Sequence, residues 1–375
     1  MTSVRTVLVV GGGTAGCALA TLLGRAGVAV EIVERKPEFT AYGSGITLQG
    51  AALRVLREVG VWEELRQYGY AFDALGLRSA DGRLLAEIPD TRTGGPDLPA
   101  TLGAYRPKLA ELLAAAAADA GAKLRCGATV ASFTHDADGV DVVFAGGDTG
   151  RYDLLVGADG VRSQTRAQLG IDIAPQPAGM GIWRVHARRP AEVEHSDLIY
   201  DGPCYIAGYT PTGPDTLYAF LVEPARDCSA HTPEQKVATM RELAAAYHGP
   251  WDAIREDITD AKRINYTWFE HLLVEGPWNR GRAVLIGDAA HACPPTLALG
   301  AAMALEDASV LAEMLLAADR LDQDLFDAFV ARRLPRAKAV VDGSMQLAAW
   351  LLEHMRDADV PGLMGRINAM VSQPA

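Results

Sequence analysis

The first 34 residues constrain the chain more than any other stretch. Thr6-Val7-Leu8-Val9-Val10 is an unbroken apolar run of the kind that forms a strand buried on both faces. Three glycines follow at 11–13, and residues 14–25 then carry helix formers that stop before Gly27. A second β-rich run, 28–33, ends at Glu34. Strand, turn, helix and strand in this order make one βαβ unit of a parallel sheet. The turn is spaced Gly11-x-Gly13-x-x-Gly16. Gly11 permits the tight turn, Gly13 lets backbone approach a pyrophosphate, and Gly16 lets the helix pack closely on the strand. The helix N-terminus offers free N–H groups to phosphate oxygens. A carboxylate at the end of the second strand can accept from both hydroxyls of an unphosphorylated adenosine ribose, which Glu34 does for FAD or NAD but not for NADP.

Beyond this unit the same pattern recurs and then changes. Residues 107–120 read as a helix with Pro107 in the first turn and Gly121 past the end. Strand-like runs lie at 129–133, 140–144 and 154–156. From about 175 to 266, Gly, Pro and aromatics interrupt short β stretches at 182–186, 205–209 and 217–222, which implies a mostly antiparallel sheet inserted into the first unit. The buried-strand pattern resumes at 283–286, residues 303–318 form a long helix, and the remainder reads as amphipathic helices. The expected fold is therefore α/β: a Rossmann-like dinucleotide-binding domain with an inserted, mostly antiparallel β-sheet substrate domain and C-terminal helices. The expected boundaries are 1–174 for the first part of the nucleotide domain, 175–270 for the inserted sheet, and 271–375 for the second part with the helices. Room remains for an excursion into the inserted domain near 70–100.

Two further motifs lie far from the first. Gly157-Ala158-Asp159-Gly160 follows a strand, and Gly287-Asp288-Ala289-Ala290-His291 precedes Pro294-Pro295 and Gly300. A helix starting near Gly300 aims its positive end at whatever binds there. All three motifs in this order resemble the single-component FAD-dependent aromatic hydroxylases typified by para-hydroxybenzoate and salicylate hydroxylases, from Val7 to about Leu315. The resemblance implies that the first motif holds the ADP part of noncovalent FAD, that Asp159 lies in a stretch serving both FAD and NAD(P)H, and that Asp288 binds the ribityl chain. Arg106 matches the arginine that reaches FAD. Pro295 and Gly300 match the loop that passes the flavin ring, with Ala301 and Ala302 donating backbone N–H groups to its pyrimidine edge. Thr14, Ala15, Arg35 and Val130 complete the expected cofactor contacts. Many members carry Gly where this chain has Ala298, Gln or Lys at Leu299, and Asn at Ala302. An apolar Leu299 removes a side-chain hydrogen bond beside the ring.

The resemblance also implies the reaction: NADH or NADPH reduces FAD, O2 adds to give a flavin C4a-hydroperoxide, and a phenolic or heteroaromatic ring is hydroxylated. A flavin dehydrogenase or reductase of the same fold, inserting no oxygen, is the alternative. The inserted sheet is expected to carry the substrate pocket, with Trp183, Arg184, Tyr200, Tyr209 and Phe220 as candidates. Strand alternation puts about half of such a set on the wrong face. A neutral or weakly acidic ring held by aromatic contacts, with little use of Arg184, is the expected substrate. His291 and Tyr209 are the candidates for acid–base work, although a hydrogen bond that fixes its loop is the stronger reading of His291. The Glu306-Asp307 pair reads as helix packing and solvated ends.

Composition bounds the rest. Lys plus Arg is 35 against 47 for Asp plus Glu, a formal net charge of −12 with only six lysines, so a nucleic-acid partner is not expected. Five scattered cysteines without a C-x-x-C pair indicate free thiols, and no metal site is indicated. The longest Ala/Leu-rich stretch, near 109–118, is too short to span a bilayer, so no stable membrane insertion and a cytoplasmic location are expected, as a monomer or homodimer.

Overall fold

A computed structural model describes residues 3–39, 43–355 and 357–375. Its first sheet has six strands in the order Asn279–Arg280, Ala283–Leu285, Leu154–Gly157, Thr6–Val10, Ala29–Glu34 and Lys123–Cys126. All neighbours are parallel except the short edge pair. The two apolar runs foreseen at 6–10 and 154–156 lie side by side, with Val7 opposite Leu154 and Val9 opposite Val156. Val7, Leu8 and Val9 of the first run and all of 154–156 are wholly buried, as apolar strands require when helices cover a sheet. The helix Thr14–Arg25 packs between Arg106–Asp119 and Gly300–Ala317, so the first and third motifs meet across one helix pair.

The second sheet has eight strands: His291–Ala292, Ile264–Leu273, Gln176–Arg188, Thr216–Pro224, Ile206–Pro211, Ser196–Ile199, Ala74–Arg78 and Leu84–Pro89. Its ends therefore come from 74–89 and from 291–292. The central strand is thirteen residues long where sequence pattern suggested five, because it continues through Pro177 and Gly179 by way of a register shift between Pro177 and Gly181.

Two helices that the sequence reading missed, Pro233–Ala244 and Pro250–Asp257, cover one face of this sheet. The first carries a legible signal: Thr232 accepts from the Gln235 N–H, Gln235 reaches back to Thr232, and Pro233 sits in the first turn. Under these helices lie Trp183, Val185, Tyr209, Leu217, Ala219 and Leu221, with Trp251 and Ile254 from above. Residues of the opposite parity on the same strands, Arg184, His186, Tyr218 and Phe220, turn toward the first domain. The Tyr218 hydroxyl shares a 2.7 Å hydrogen bond with Thr47 Oγ1, and the His186 ring lies 4.5 Å from that of Tyr105. The long helix Gln323–Leu352 closes one end of this face, where Ala348 and Leu352 pack on Met180, Ile182 and Val222. Among the described residues no helix is long and apolar enough to cross a membrane.

Candidate active site

The glycine turn is built as a phosphate loop must be. A Cβ on Gly11, whose φ is +109°, would lie 2.4 Å from the Ala158 carbonyl oxygen, and one on Gly16 would lie 2.1 Å from the Gly11 oxygen. Neither position admits a side chain without separating helix from strand. Around Gly13 a Cβ meets nothing within 4 Å. The protein does not need that space for its own packing. The helix that follows has no side-chain N-cap, so its first N–H groups face the opening beside half-buried Thr14, while Ala15 turns into the core. Glu34 sits next to the turn, its carboxylate accepting from the Gly12 and Lys36 N–H groups at 3.0 Å each. Arg35 is exposed. Val130 starts the strand Val130–His135, just after Ala128, whose N–H donates to the Glu34 carbonyl, so it lies beside the acid end of the second strand.

Asp159 is fully engaged by its own loop. Its carboxylate accepts from the Ser163 hydroxyl and from the Thr165 N–H and hydroxyl, fixing the start of the helix Gln164–Gln168 and hence the Ala158 carbonyl that bounds Gly11. Asp288 is the opposite case. It is exposed and makes no hydrogen bond to a described residue. Enclosure by the surrounding protein raises its carboxyl pKa above the ordinary value, partly offset by His291 and Arg106. Arg106 is the first residue of its helix, exposed in the cleft, with its stem passing Gly43.

The ring-loop candidates follow in sequence. Pro295–Leu297 is a short 3-10 turn, Ala298 is left-handed at φ 54°, and the helix Gly300–Ala317 starts uncapped by any side chain. A Cβ on Gly300 would meet only Cys293 Sγ at 3.7 Å, an ordinary contact, so here too the protein leaves room it does not require. Ala301 is half-buried and Ala302 buried at the first turn, whose N–H groups lack helical partners. Leu299 is buried in the core. Two contacts invisible in the sequence hold this loop: Gln49 Nε2 donates to the Leu297 carbonyl at 2.8 Å, and the Thr296 hydroxyl to the Ser344 carbonyl at 2.8 Å. Because alanine resists the left-handed region, Ala298→Gly is expected to raise the unfolding free energy by about 0.5–1 kcal/mol, read as a higher Tm with FAD content unchanged.

Several expectations need correction. His291 is buried, with Nε2 2.6 Å from Asp307 Oδ2 and its ring against Trp278, so it is not placed to serve a reacting molecule in the cleft. Asp307 also accepts from the Gly287 N–H at 2.8 Å and from Arg333 Nε at 2.7 Å. Burial pushes the Asp307 carboxyl up, but His291 and Arg333 outweigh it and hold the pKa at about 2. The Glu306-Asp307 pair is therefore no solvated helix end: Glu306 is equally buried and pairs with Arg333, Arg336 and Arg54. Trp183 and Tyr209 lie on the helix-covered face of the second sheet. Trp183 Nε1 donates to Glu223 at 2.6 Å and the Tyr209 hydroxyl to Asp197 at 2.6 Å, both fully buried. Neither faces the cleft, which removes Tyr209 as a candidate acid or base. Tyr200 is half-exposed just past the strand Ser196–Ile199. Arg184 and Phe220, directly opposite each other in register, do face the cleft, with Tyr218 beside them.

Comparison with known proteins fits this geometry. A family model described as an FAD binding domain matches residues 5–344. The chain belongs to the FAD-dependent aromatic hydroxylase family. It is 31% identical over 344 residues to aurachin C monooxygenase/isomerase of Stigmatella aurantiaca, covering 91% of this chain and 88% of that one. It is 30% identical over 350 residues to 6-hydroxynicotinate 3-monooxygenase of Pseudomonas fluorescens, covering 89% of each. In structure it is similar to Klebsiella pneumoniae HpxO complexed with FAD and uric acid, with a TM-score of 0.83 at 20% identity over 98% of this chain and 92% of that one. The protein is an FAD-dependent monooxygenase, and the space beside Gly13 and Gly300, with the unpartnered Asp288 of the third motif, suits that cofactor.

Proposed function

We propose that this flavoenzyme uses NADH or NADPH to insert one oxygen atom of O2 into a phenolic or heteroaromatic ring held between the flavin loop and the cleft face of the eight-stranded sheet. FAD, when bound, carries the electrons and supplies the oxygen chemistry. The observation that carries the reading is the pairing of two surfaces: an uncapped helix start at Gly300 with room in front of it, and a sheet face carrying Arg184, Tyr218 and Phe220 opposite. Glu34 would accept from the adenosine ribose, the first turn after Gly13 would meet the pyrophosphate, and Asp288 would accept from ribityl hydroxyls. The start of Gly300–Ala317 would stabilise negative charge at the near edge of the ring, an effect worth about 0.3–1 kcal/mol at an exposed helix end and up to about 2 when partly buried. Phe220 supplies an apolar wall, and the long helix packed on Ile182 and Val222 keeps water from one end of the cleft.

The test is a screen of phenols and heteroaromatic rings for those that accelerate NAD(P)H oxidation, followed by mass spectrometry of the product. A gain of one oxygen is expected; accelerated oxidation giving a product of unchanged oxygen content would replace this reading with a reductase. Asp288→Ala should weaken FAD retention roughly tenfold or more, since an acceptor for buried hydroxyls is lost. Equilibrium dialysis with flavin absorbance measures it, and retention at the parent level would remove Asp288 from the cofactor site.

A further inference from the structure

The helix Val360–Ser372 contributes none of the expected cofactor contacts, yet it backs the flavin loop along two routes. It turns Leu363, Ile367 and Val371, spaced four apart on one face, into the protein. The first route is apolar and runs through Gly343 of the long helix Gln323–Leu352. A Cβ on Gly343 would lie 3.2 Å from Leu297 Cδ1 and 3.4 Å from Ile367 Cδ1, so both side chains crowd the same bare turn of that helix. Leu297 ends the short turn Pro295–Leu297, and the Thr296 hydroxyl before it donates to the carbonyl of Ser344, the neighbour of Gly343. The loop is therefore seated on 343–344, and Ile367 fills the space beside the seat.

The second route is polar. The last turn of Val360–Ser372 carries no basic residue of its own, so its terminal carbonyls need donors from elsewhere. Arg336 donates to the carbonyls of Met370, Val371 and Gln373 at 2.7, 3.1 and 2.9 Å. Arg54 donates to Val371 and Gln373 at 3.3 Å and to Ser372 at 3.4 Å. The same two guanidiniums hold buried Glu306 at 2.7 and 3.1 Å, less than two turns into the helix that starts at Gly300. Between the two anchored points, Leu297 and Glu306, lies Ala298 in the left-handed region, a strained conformation that persists only where its surroundings enforce it. We propose that Val360–Ser372 is a positioning element of the cofactor site: it holds the loop 295–299 and the start of Gly300–Ala317 in the attitude that receives the flavin ring. Ile367 is its positioning residue on the apolar side. This rests on the placement of the ring at that loop, argued above.

Equilibrium dialysis of the holoenzyme gives FAD affinity, and visible circular dichroism of the bound flavin reports the setting of the ring. Ile367→Ala should weaken FAD roughly three- to thirtyfold and change the flavin dichroism, while Ile367→Val should restore most of both. Ile254→Ala is the control. Ile254 is equally buried, but among the helices that cover the far face of the second sheet, so its loss should leave FAD affinity within about twofold and the dichroism unchanged. Gly343→Ala decides the matter if Ile367→Ala does not fold. Alanine favours the helix itself, yet its methyl presses on Leu297 and Ile367, so FAD affinity should fall with helix content intact. Parent-level affinity and dichroism in the Ile367 and Gly343 variants, or a loss that Ile254→Ala matches, overturns the proposal. Gly300→Val tests the reading beneath it, since a Cβ there meets only Cys293 Sγ at 3.7 Å and the substitution stands chiefly in the way of the ring. Parent-level FAD binding by Gly300→Val removes the loop from the cofactor site and the proposal with it. Loss of FAD there, with Ile367→Ala unaffected, overturns the positioning role alone.

Discussion

Arg333→Met is expected to destabilise the protein by about 3–5 kcal/mol, among the largest effects available to a single substitution here. Arg333 is fully buried and bonds Asp307, Glu306 and the Met303 carbonyl. Methionine fills similar volume but leaves two buried carboxylates with one cation fewer. Denaturant unfolding of the holoenzyme measures the loss; a change under 1 kcal/mol would show that Arg336, Arg54 and His291 suffice. The acid limb should move as well. With its pKa held near 2, Asp307 contributes stability that is present above the ordinary carboxylate value near 3.8 and lost as pH falls toward 2. Without Arg333 that native pKa rises, so the acid-unfolding midpoint should shift to higher pH. Combining the change with Asp307→Asn, which keeps an acceptor for the Gly287 N–H, should cost less than the sum of the two single changes.

Glu34→Ala should weaken FAD binding by about 1.5–3 kcal/mol, which is roughly 10- to 150-fold. The carboxylate already accepts from Gly12 and Lys36 N–H groups, so it is held in place at the mouth of the turn before any ribose arrives. Part of the cost is therefore lost preorganisation of the turn itself. Glu34→Gln should retain more of the affinity than alanine, because its carbonyl oxygen still accepts from Gly12. Fluorescence titration of the apoprotein with FAD measures both, and full affinity in Glu34→Ala would remove this residue from the cofactor site.

The nucleotide-binding unit and the second sheet differ in how much of each is legible in sequence. The opening strand, turn and helix are local: period, glycine spacing and chain direction are all carried by about thirty consecutive residues. The faces of the second sheet are not local. Trp183 and Arg184 are adjacent, and which of them meets the cleft depends on where the helices Pro233–Ala244 and Pro250–Asp257 settle. A strand shows its alternation but not which side is covered. The same holds for Leu299, whose core position is set by the left-handed Ala298 before it, and for Gln49, whose bond to Leu297 spans most of the chain. The Glu306-Asp307 pair is not legible in sequence, because its cations, Arg333, Arg336 and Arg54, come from two other helices.

The two sheets share a late point of closure. The inner strand near the edge of the parallel sheet, Ala283–Leu285, and the terminal strand of the eight-stranded sheet, His291–Ala292, lie within ten residues of each other. Strands at the far end of the second sheet, Ala74–Arg78 and Leu84–Pro89, emerge from the ribosome long before either. A nascent chain therefore carries its βαβ unit and the hairpin 74–89 while most strands of the second sheet are still to be made, and only the passage of 283–292 completes both sheets. Pairings of such sequence separation fold slowly and expose unpaired edges while they wait. Leu84, Leu85 and Ile88, exposed on the outer strand even in the finished molecule, sit where such a waiting sheet is most open to a neighbouring chain. Yield in a heterologous host should then depend on translation speed and temperature more than on the stability of the finished fold.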